Sequence, residues 1–156
     1  MGMPEAGQDA PAFSLDDQEG TTYASKDLKG KWVVLYFYPK DDTPGCTREA
    51  CSFRDEYSGL KKSGAVVLGI SPQGPESHQK FAKKYKLPFP LLVDADHKVA
   101  EKYGAWGEKS NYGRKYMGII RSTFLIDPKG KLARVWPKVK VDGHVEQVQE
   151  ALAAAK

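Results

Sequence analysis

The stretch WVVLYFYPKDDTPGCTREAC, residues 32–51, holds a strand signal, a turn, a helix start and both cysteines of the chain. Trp32 to Tyr38 is an unbroken run of apolar and aromatic residues, rich in β-branched types. No polar residue alternates with them, so neither face of such a strand meets water. The pattern predicts a sheet covered by helices on both sides. Pro39 stops the strand, because it brings no N–H to a ladder. From about Thr47 to Lys62, Ala50, Phe53, Tyr57 and Leu60 recur at spacings of 3, 4 and 3, which predicts a helix with one apolar face. Gly64 ends that helix.

Working outward, Phe13–Leu15 and Thr21–Tyr23 read as a small hairpin around the turn chemistry of Asp16–Gly20. Ala65–Ser71 is a second buried strand. Pro75–Tyr85 opens with proline in a first helical turn and aligns Phe81, Ala82 and Tyr85 on one face. Leu91–Val93 is a short third strand, and His97–Gly104 a short helix. Residues 105–117 are polar, contain glycine and lack a period, which predicts a long surface loop. Ile119–Asp127 is a strand carrying Arg121. Asp127-Pro128-Lys129-Gly130 has the residues of a type I turn, and residues 131–137 return as its hairpin partner. His144–Ala155 closes the chain as a helix with Val145, Val148, Leu152 and Ala155 on one face. The order is hairpin, β-α-β-α-β-α, then β-β-α, which predicts an α/β fold of thioredoxin-like architecture. A mixed central sheet carries helices on both faces, with an N-terminal hairpin. Residues 1–156 are expected to form a single domain.

With 40% hydrophobic and 28% charged residues, the composition is that of an ordinary globular protein. The net charge of +4 comes from scattered Lys and Arg, as in the Lys61-Lys62 and Lys83-Lys84 pairs on helix surfaces. This argues against a specific nucleic-acid partner. No apolar run is long enough to span a membrane. The first residues lack the basic and apolar regions of a signal peptide, so a cytoplasmic protein is expected. In a reducing compartment two cysteines seldom form a permanent disulfide; they are inert or they work.

Cys46 falls in the first turn of its helix, after turn residues Asp41 to Gly45. Free N–H groups and a partial positive charge there favour thiolate over thiol and so make a nucleophile. Arg48 is local, and Arg121 lies on a strand that can pair with the first buried one. The Thr43 hydroxyl is close enough in sequence to meet the sulfur or a bound substrate across the turn. Cys46 also shares the spacing of the apolar face, so its thiol points inward, and the alternative is a small buried core residue. In an intact helix, Cys46 and Cys51 are separated by ~7.5 Å of rise and ~140° of rotation. Their Cα atoms then lie roughly 8–9 Å apart, whereas a disulfide needs less than about 7 Å. Either the two never bond, or the first turns of the helix unwind. Gly45 provides a hinge, and Thr47, Ser52 and Asp55 are weak helix formers. Cys51 can equally be a passive residue on the helix flank.

Other chemistries lack support. His78, His97 and His144 are far apart and unpaired, against the four-ligand spacing of a zinc site. His78 borders an apolar face; His97 and His144 read as first-turn helix residues. There is no G-x-S-x-G elbow and no glycine-rich phosphate loop.

Pro39-Lys40-Asp41-Asp42-Thr43-Pro44-Gly45-Cys46 resembles the peroxiredoxin active-site signature Pro-x-x-x-Thr-x-x-Cys. FYPKDDTPGCTREACSFRD is similar to the peroxiredoxin Q type, also called bacterioferritin comigratory protein, and RSTFLID resembles the strand that supplies that family's active-site arginine, here Arg121. The similarity runs from APAF (residues 10–13) to the last helix. The resemblance implies that Cys46 is the peroxidatic thiolate, attacking hydrogen peroxide or an organic hydroperoxide to give a sulfenic acid. Thr43, the Cys46 N–H and Arg121 would hold the peroxide oxygens, and Pro39 would shield the thiolate. Cys51 would resolve the sulfenic acid to an intramolecular disulfide, and thioredoxin or a similar dithiol would reduce it. No metal, haem or flavin is implied, and a monomer is expected. Glu49, one turn from Cys46, is either an ordinary surface carboxylate or a group that orients Arg121.

Two other readings compete. A thiol–disulfide oxidoreductase on the same fold would use CxxC and a cis-proline before the TFLID strand, where Ser122 and Thr123 stand here. A non-enzymatic chaperone or binding module would keep its effect in a Cys46→Ser variant.

Overall fold

The computed structural model describes residues 2–156. Its central sheet has five strands in the order β5-β4-β3-β8-β9. These are β3 (Trp32–Phe37), β4 (Ala65–Ser71), β5 (Leu91–Val93), β8 (Ser122–Ile126) and β9 (Leu132–Trp136). β3, β4 and β5 run parallel, while β8 is antiparallel to β3 and β9 to β8. The helices are α1 (Pro44–Lys62), α2 (Pro75–Tyr85), α3 (Lys98–Lys102) and α4 (His144–Ala155). An N-terminal hairpin pairs β1 (Ser14–Asp16) with β2 (Thr22–Ala24).

The apolar run at 32–38 is explained by two cores. Successive strand residues point to opposite faces. Val34, Tyr36 and Tyr38 pack with Cys46, Ala50 and Phe53 of α1, Phe81 of α2 and Val148 of α4. Val33, Leu35 and Phe37 pack on the other face with Val99 and Ala100 of α3, Tyr103 and Phe124. Both faces are covered by helices, so both sets of side chains are apolar. The 127–130 turn closes as expected, with the Gly130 N–H donating to the Asp127 carbonyl. No helix among the described residues is long and apolar enough to cross a membrane.

Two expectations need correction. The segment at 105–117 is not a loop. It forms most of a hairpin of β6 (Trp106–Asn111) and β7 (Arg114–Ile119). Tyr112 and Gly113 turn it with φ of 52° and 79°, the left-handed pair that a two-residue hairpin requires. The hairpin stands largely in solvent, so its strands carry no apolar face for a period-2 reading to find. The proposed strand from Ile119 to Asp127 is also two pieces. β7 ends at Ile119 and β8 starts at Ser122, leaving Arg121 on the link between them.

Phe53 is fully buried, stacked on Tyr36 with ring centroids 4.8 Å apart and set edge-on to Phe89 and His144. Phe53→Ala is expected to cost about 3–5 kcal/mol, read as a lower urea midpoint of unfolding.

Candidate active site

The site forms where β3 runs into α1. The β3–β8 register sets Phe37 opposite Ser122, so Arg121 arrives beside the end of β3 and reaches the start of α1. Its two Nη groups fork. Nη2 donates to Cys46 Sγ at 3.2 Å and Nη1 to Glu49 Oε1 at 2.7 Å. Sequence spacing put Glu49 on the helix, and the structure buries it at 1% exposure, against the surface carboxylate that was one of its two readings. Residues 46, 49, 50 and 53 occupy one stripe of α1, so the carboxylate shares the face of the apolar side chains.

Cys46 is 2% exposed, so its thiol points inward as the spacing suggested. α1 begins with Pro44 at its first position, and its first helical hydrogen bond runs from the Thr47 N–H to the Thr43 carbonyl. The Cys46 N–H therefore precedes the ladder. Gly45 has a role beyond that of a hinge. A Cβ there would sit 3.2 Å from Arg121 Nη2, so the bare backbone admits the guanidinium. The Thr43 hydroxyl donates to the Lys40 carbonyl at 2.9 Å, which commits its hydrogen and leaves the oxygen as an acceptor. Pro39 is half-buried two residues past the end of β3. Cys51 is half-buried on the same unbroken helix, and both thiols are free. The structure thus gathers Cys46, Arg121 and Glu49 into direct contact, with Thr43 and Pro39 on the adjoining loop and Cys51 five residues along α1.

The histidines are not ligands to a shared ion. His78 and His144 are buried, and His144 Nε2 lies 2.8 Å from the Thr123 hydroxyl. His97 precedes α3 rather than opening it, and stacks on Trp106 at 3.7 Å. No cluster of metal-ligating side chains occurs among the described residues.

Burial drives the Glu49 carboxyl up to about 7, and the charge and hydrogen bond of Arg121 only partly oppose it. Glu49 Oε2 is buried without a hydrogen-bond partner and is the oxygen that would take the proton. A carboxyl that binds its proton more tightly when folded stabilises fully below its unfolded value of 4.5, and that stability is lost as pH rises through about 7. Between pH 5 and pH 8 this group is expected to withdraw up to about 3 kcal/mol. Urea midpoints of the parent and Glu49→Gln across that range should show a slope that the variant lacks.

The AhpC/TSA family model matches residues 6–135. Peroxiredoxin Bcp of Bacillus subtilis is 52% identical over 148 residues, 95% of this chain and 94% of that protein. A Xanthomonas campestris bacterioferritin comigratory protein, whose structures were solved for insight into its alkyl peroxide reduction activity, superposes with a TM-score of 0.90. The two are 39% identical, covering 97% of this chain and 99% of the other. The Xylella fastidiosa PrxQ structure reaches a TM-score of 0.92 at 34% identity, covering 99% and 98% of the two chains. The likenesses in family pattern, in sequence and in thioredoxin-like architecture agree: the chain belongs to the AhpC/TSA family of peroxiredoxins, among those of the Bcp and Q type.

Proposed function

We propose that the protein is a thiol-dependent peroxidase in which Cys46 is the peroxidatic and Cys51 the resolving residue. The observation that carries this reading is the Arg121 fork, with one arm on Cys46 Sγ and the other on a buried carboxylate. The guanidinium N–H positions the sulfur, whose thiolate is the form that attacks a peroxide. Sγ takes one oxygen of hydrogen peroxide or an organic hydroperoxide, the O–O bond breaks, and hydroxide or alkoxide leaves with the electron pair. Arg121 and the unpaired Cys46 N–H stabilise that charge as it develops. The hydroxyl oxygen of Thr43 accepts the peroxide O–H, and Pro39 limits water at the sulfur. The resulting sulfenic acid then condenses with the Cys51 thiol, releasing water and forming the disulfide. Because α1 is continuous through both positions, its first turns unwind before that bond forms. Thioredoxin or another dithiol of that type returns both thiols. The chain works as one domain, a view supported by α1 and α4 sharing one core, and as a cytoplasmic monomer.

The test is to mix reduced protein with one equivalent of hydrogen peroxide, quench quickly, and take intact mass and thiol count beside Cys51→Ser. Loss of two hydrogens in the parent and a trappable sulfenic acid at Cys46 in the variant are expected. Oxidation as slow as that of an ordinary free cysteine would refute the reading.

Gly45→Ala separates helix stability from reactivity. The added methyl improves helix propensity by about 0.5–1 kcal/mol, yet it presses on Arg121 Nη2. Thermal stability is expected to hold or rise while Cys46 oxidation slows roughly tenfold or more, since one lost charge-assisted hydrogen bond is of that size. Stopped-flow peroxide kinetics with a parallel melting curve check both halves.

A further inference from the structure

A second buried polar cluster lies directly behind the Cys46 turn, and none of the steps above uses it. Asp41, on the loop between β3 and α1, is buried. Its Oδ1 accepts from the Tyr38 hydroxyl at 2.6 Å, and its Oδ2 accepts from the Ser77 hydroxyl at 2.7 Å. His78 Nδ1 lies 2.7 Å from the same Oδ2, while His78 Nε2 lies 2.9 Å from the Leu92 carbonyl. Both ring nitrogens therefore face acceptors. A neutral imidazole carries one N–H only and would set a lone pair against one of those oxygens. His78 is thus fully buried with an oxygen at each ring nitrogen, one of them from the Asp41 carboxyl group.

The next residue repeats the arrangement. Asp42, at φ 57°, accepts from Lys84 Nζ at 2.8 Å and the Tyr85 hydroxyl at 2.7 Å. Ser77 and His78 open α2, and Lys84 and Tyr85 close it. Two consecutive aspartates thus grip α2 at both ends. The start of α1 offers no comparable hold. It has no side-chain cap and no acidic residue in its first turn. The side-chain hydrogen bonds of Asp41 and Asp42 thus tie the Pro39–Thr43 loop to α2, while its last carbonyl, that of Thr43, starts the ladder of α1.

We propose that Asp41 and His78 are positioning residues for the peroxide reaction: their buried hydrogen-bonded pair docks the loop on α2, keeps Thr43 and the Cys46 N–H in register with Arg121, and stays in place while the first turns of α1 unwind toward Cys51. The inference rests on the peroxidase reading. It assigns the fixed side of the hinge to Asp41 and Asp42 and the moving side to residues from Pro44 onward.

The experiment uses the full chain in a Cys51→Ser background, so that oxidation stops at the sulfenic acid. Asp41→Asn and His78→Asn each remove one partner of the pair, and folding is confirmed by near-ultraviolet circular dichroism at 25 °C. Two rates are read at Cys46: sulfenic acid formation with hydrogen peroxide and alkylation by iodoacetamide, which makes no use of the peroxide-oxygen contacts. The peroxide rate is expected to fall roughly ten- to hundredfold, the scale of a misplacement near 1 Å, while alkylation stays within about twofold. A lowered melting temperature with an unchanged peroxide rate would mean a purely structural pair and overturn the proposal. Equal loss of both rates would do so as well, by placing the effect on the sulfur itself. Should either variant fail to fold, Ser77→Ala and Tyr38→Phe each remove one donor to Asp41 while leaving the pair. They are expected to show the same split at a smaller size, and no split would count against the clamp. In the otherwise unsubstituted chain, the His78 ring N–H signal seen by NMR in the reduced form should persist in the disulfide form. Its loss on oxidation refutes the fixed hinge. If Cys46 of the parent is no faster with peroxide than a free cysteine, the peroxidase reading itself fails. If the parent is fast and the variants match it, only the clamp fails.

Discussion

The guanidinium of Arg121 is the constraint around which this site is arranged. It lies between the Cys46 sulfur and a carboxyl group buried to 1% exposure, and its planar fork serves both at once. Each partner explains the other. Glu49 fixes the plane of the guanidinium, so that Nη2 meets Sγ instead of rotating away. Without the arginine, nothing would oppose the burial that pushes the Glu49 carboxyl upward, and it would sit protonated beside a core built from Tyr36, Ala50 and Phe53. A lysine would offer a point charge with no second arm at a fixed angle.

The sheet makes this fork possible. β3 is the middle strand, paired to β4 on one side and β8 on the other. At its end it hands the chain to α1, whose buried stripe carries Cys46 and Glu49. On its β8 side the antiparallel register delivers Arg121 to the same end. Antiparallel pairing is what allows the start of β8 to meet the end of β3. A parallel neighbour would present the end of its strand there instead, as β4 does with Ile70 opposite Phe37.

Much of this was legible in the sequence because burial on both faces leaves a plain mark. The runs at 32–38 and 65–71, the helical stripe of α1 and the limits of α2 and α4 all follow from apolar spacing. The placement of Cys46 followed from turn residues ahead of that stripe. Three things escaped for physical reasons. The β6–β7 hairpin has no buried face, and only the Tyr112-Gly113 turn hinted at it. Arg121 reaches the sulfur through a register between strands some ninety residues apart, which no local pattern encodes; the family resemblance alone had pointed to it. Glu49 and His78 were underestimated because a stripe was counted by its apolar members. Glu49 stands three residues from Cys46 and four from Phe53, and His78 three from Phe81. A charged residue in register with a buried stripe was the available signal for both.

The separation between Cys46 and Arg121 has a bearing on how the protein is made. The hydrogen-bonded partners stand seventy-five positions apart in the chain, and the central strand β3 pairs with β8 from the last third of it. Contacts so distant in sequence form late, because the entropy of closing the intervening loop is lost before the contact stabilises anything. During synthesis the thiol emerges long before its cation, and β3 waits with one edge open. A nascent chain therefore carries Cys46 through the ribosome exit without its guanidinium partner, and the contact forms only when β8 docks. Assembly of the Cys46–Arg121–Glu49 contact and completion of the sheet are therefore a single event.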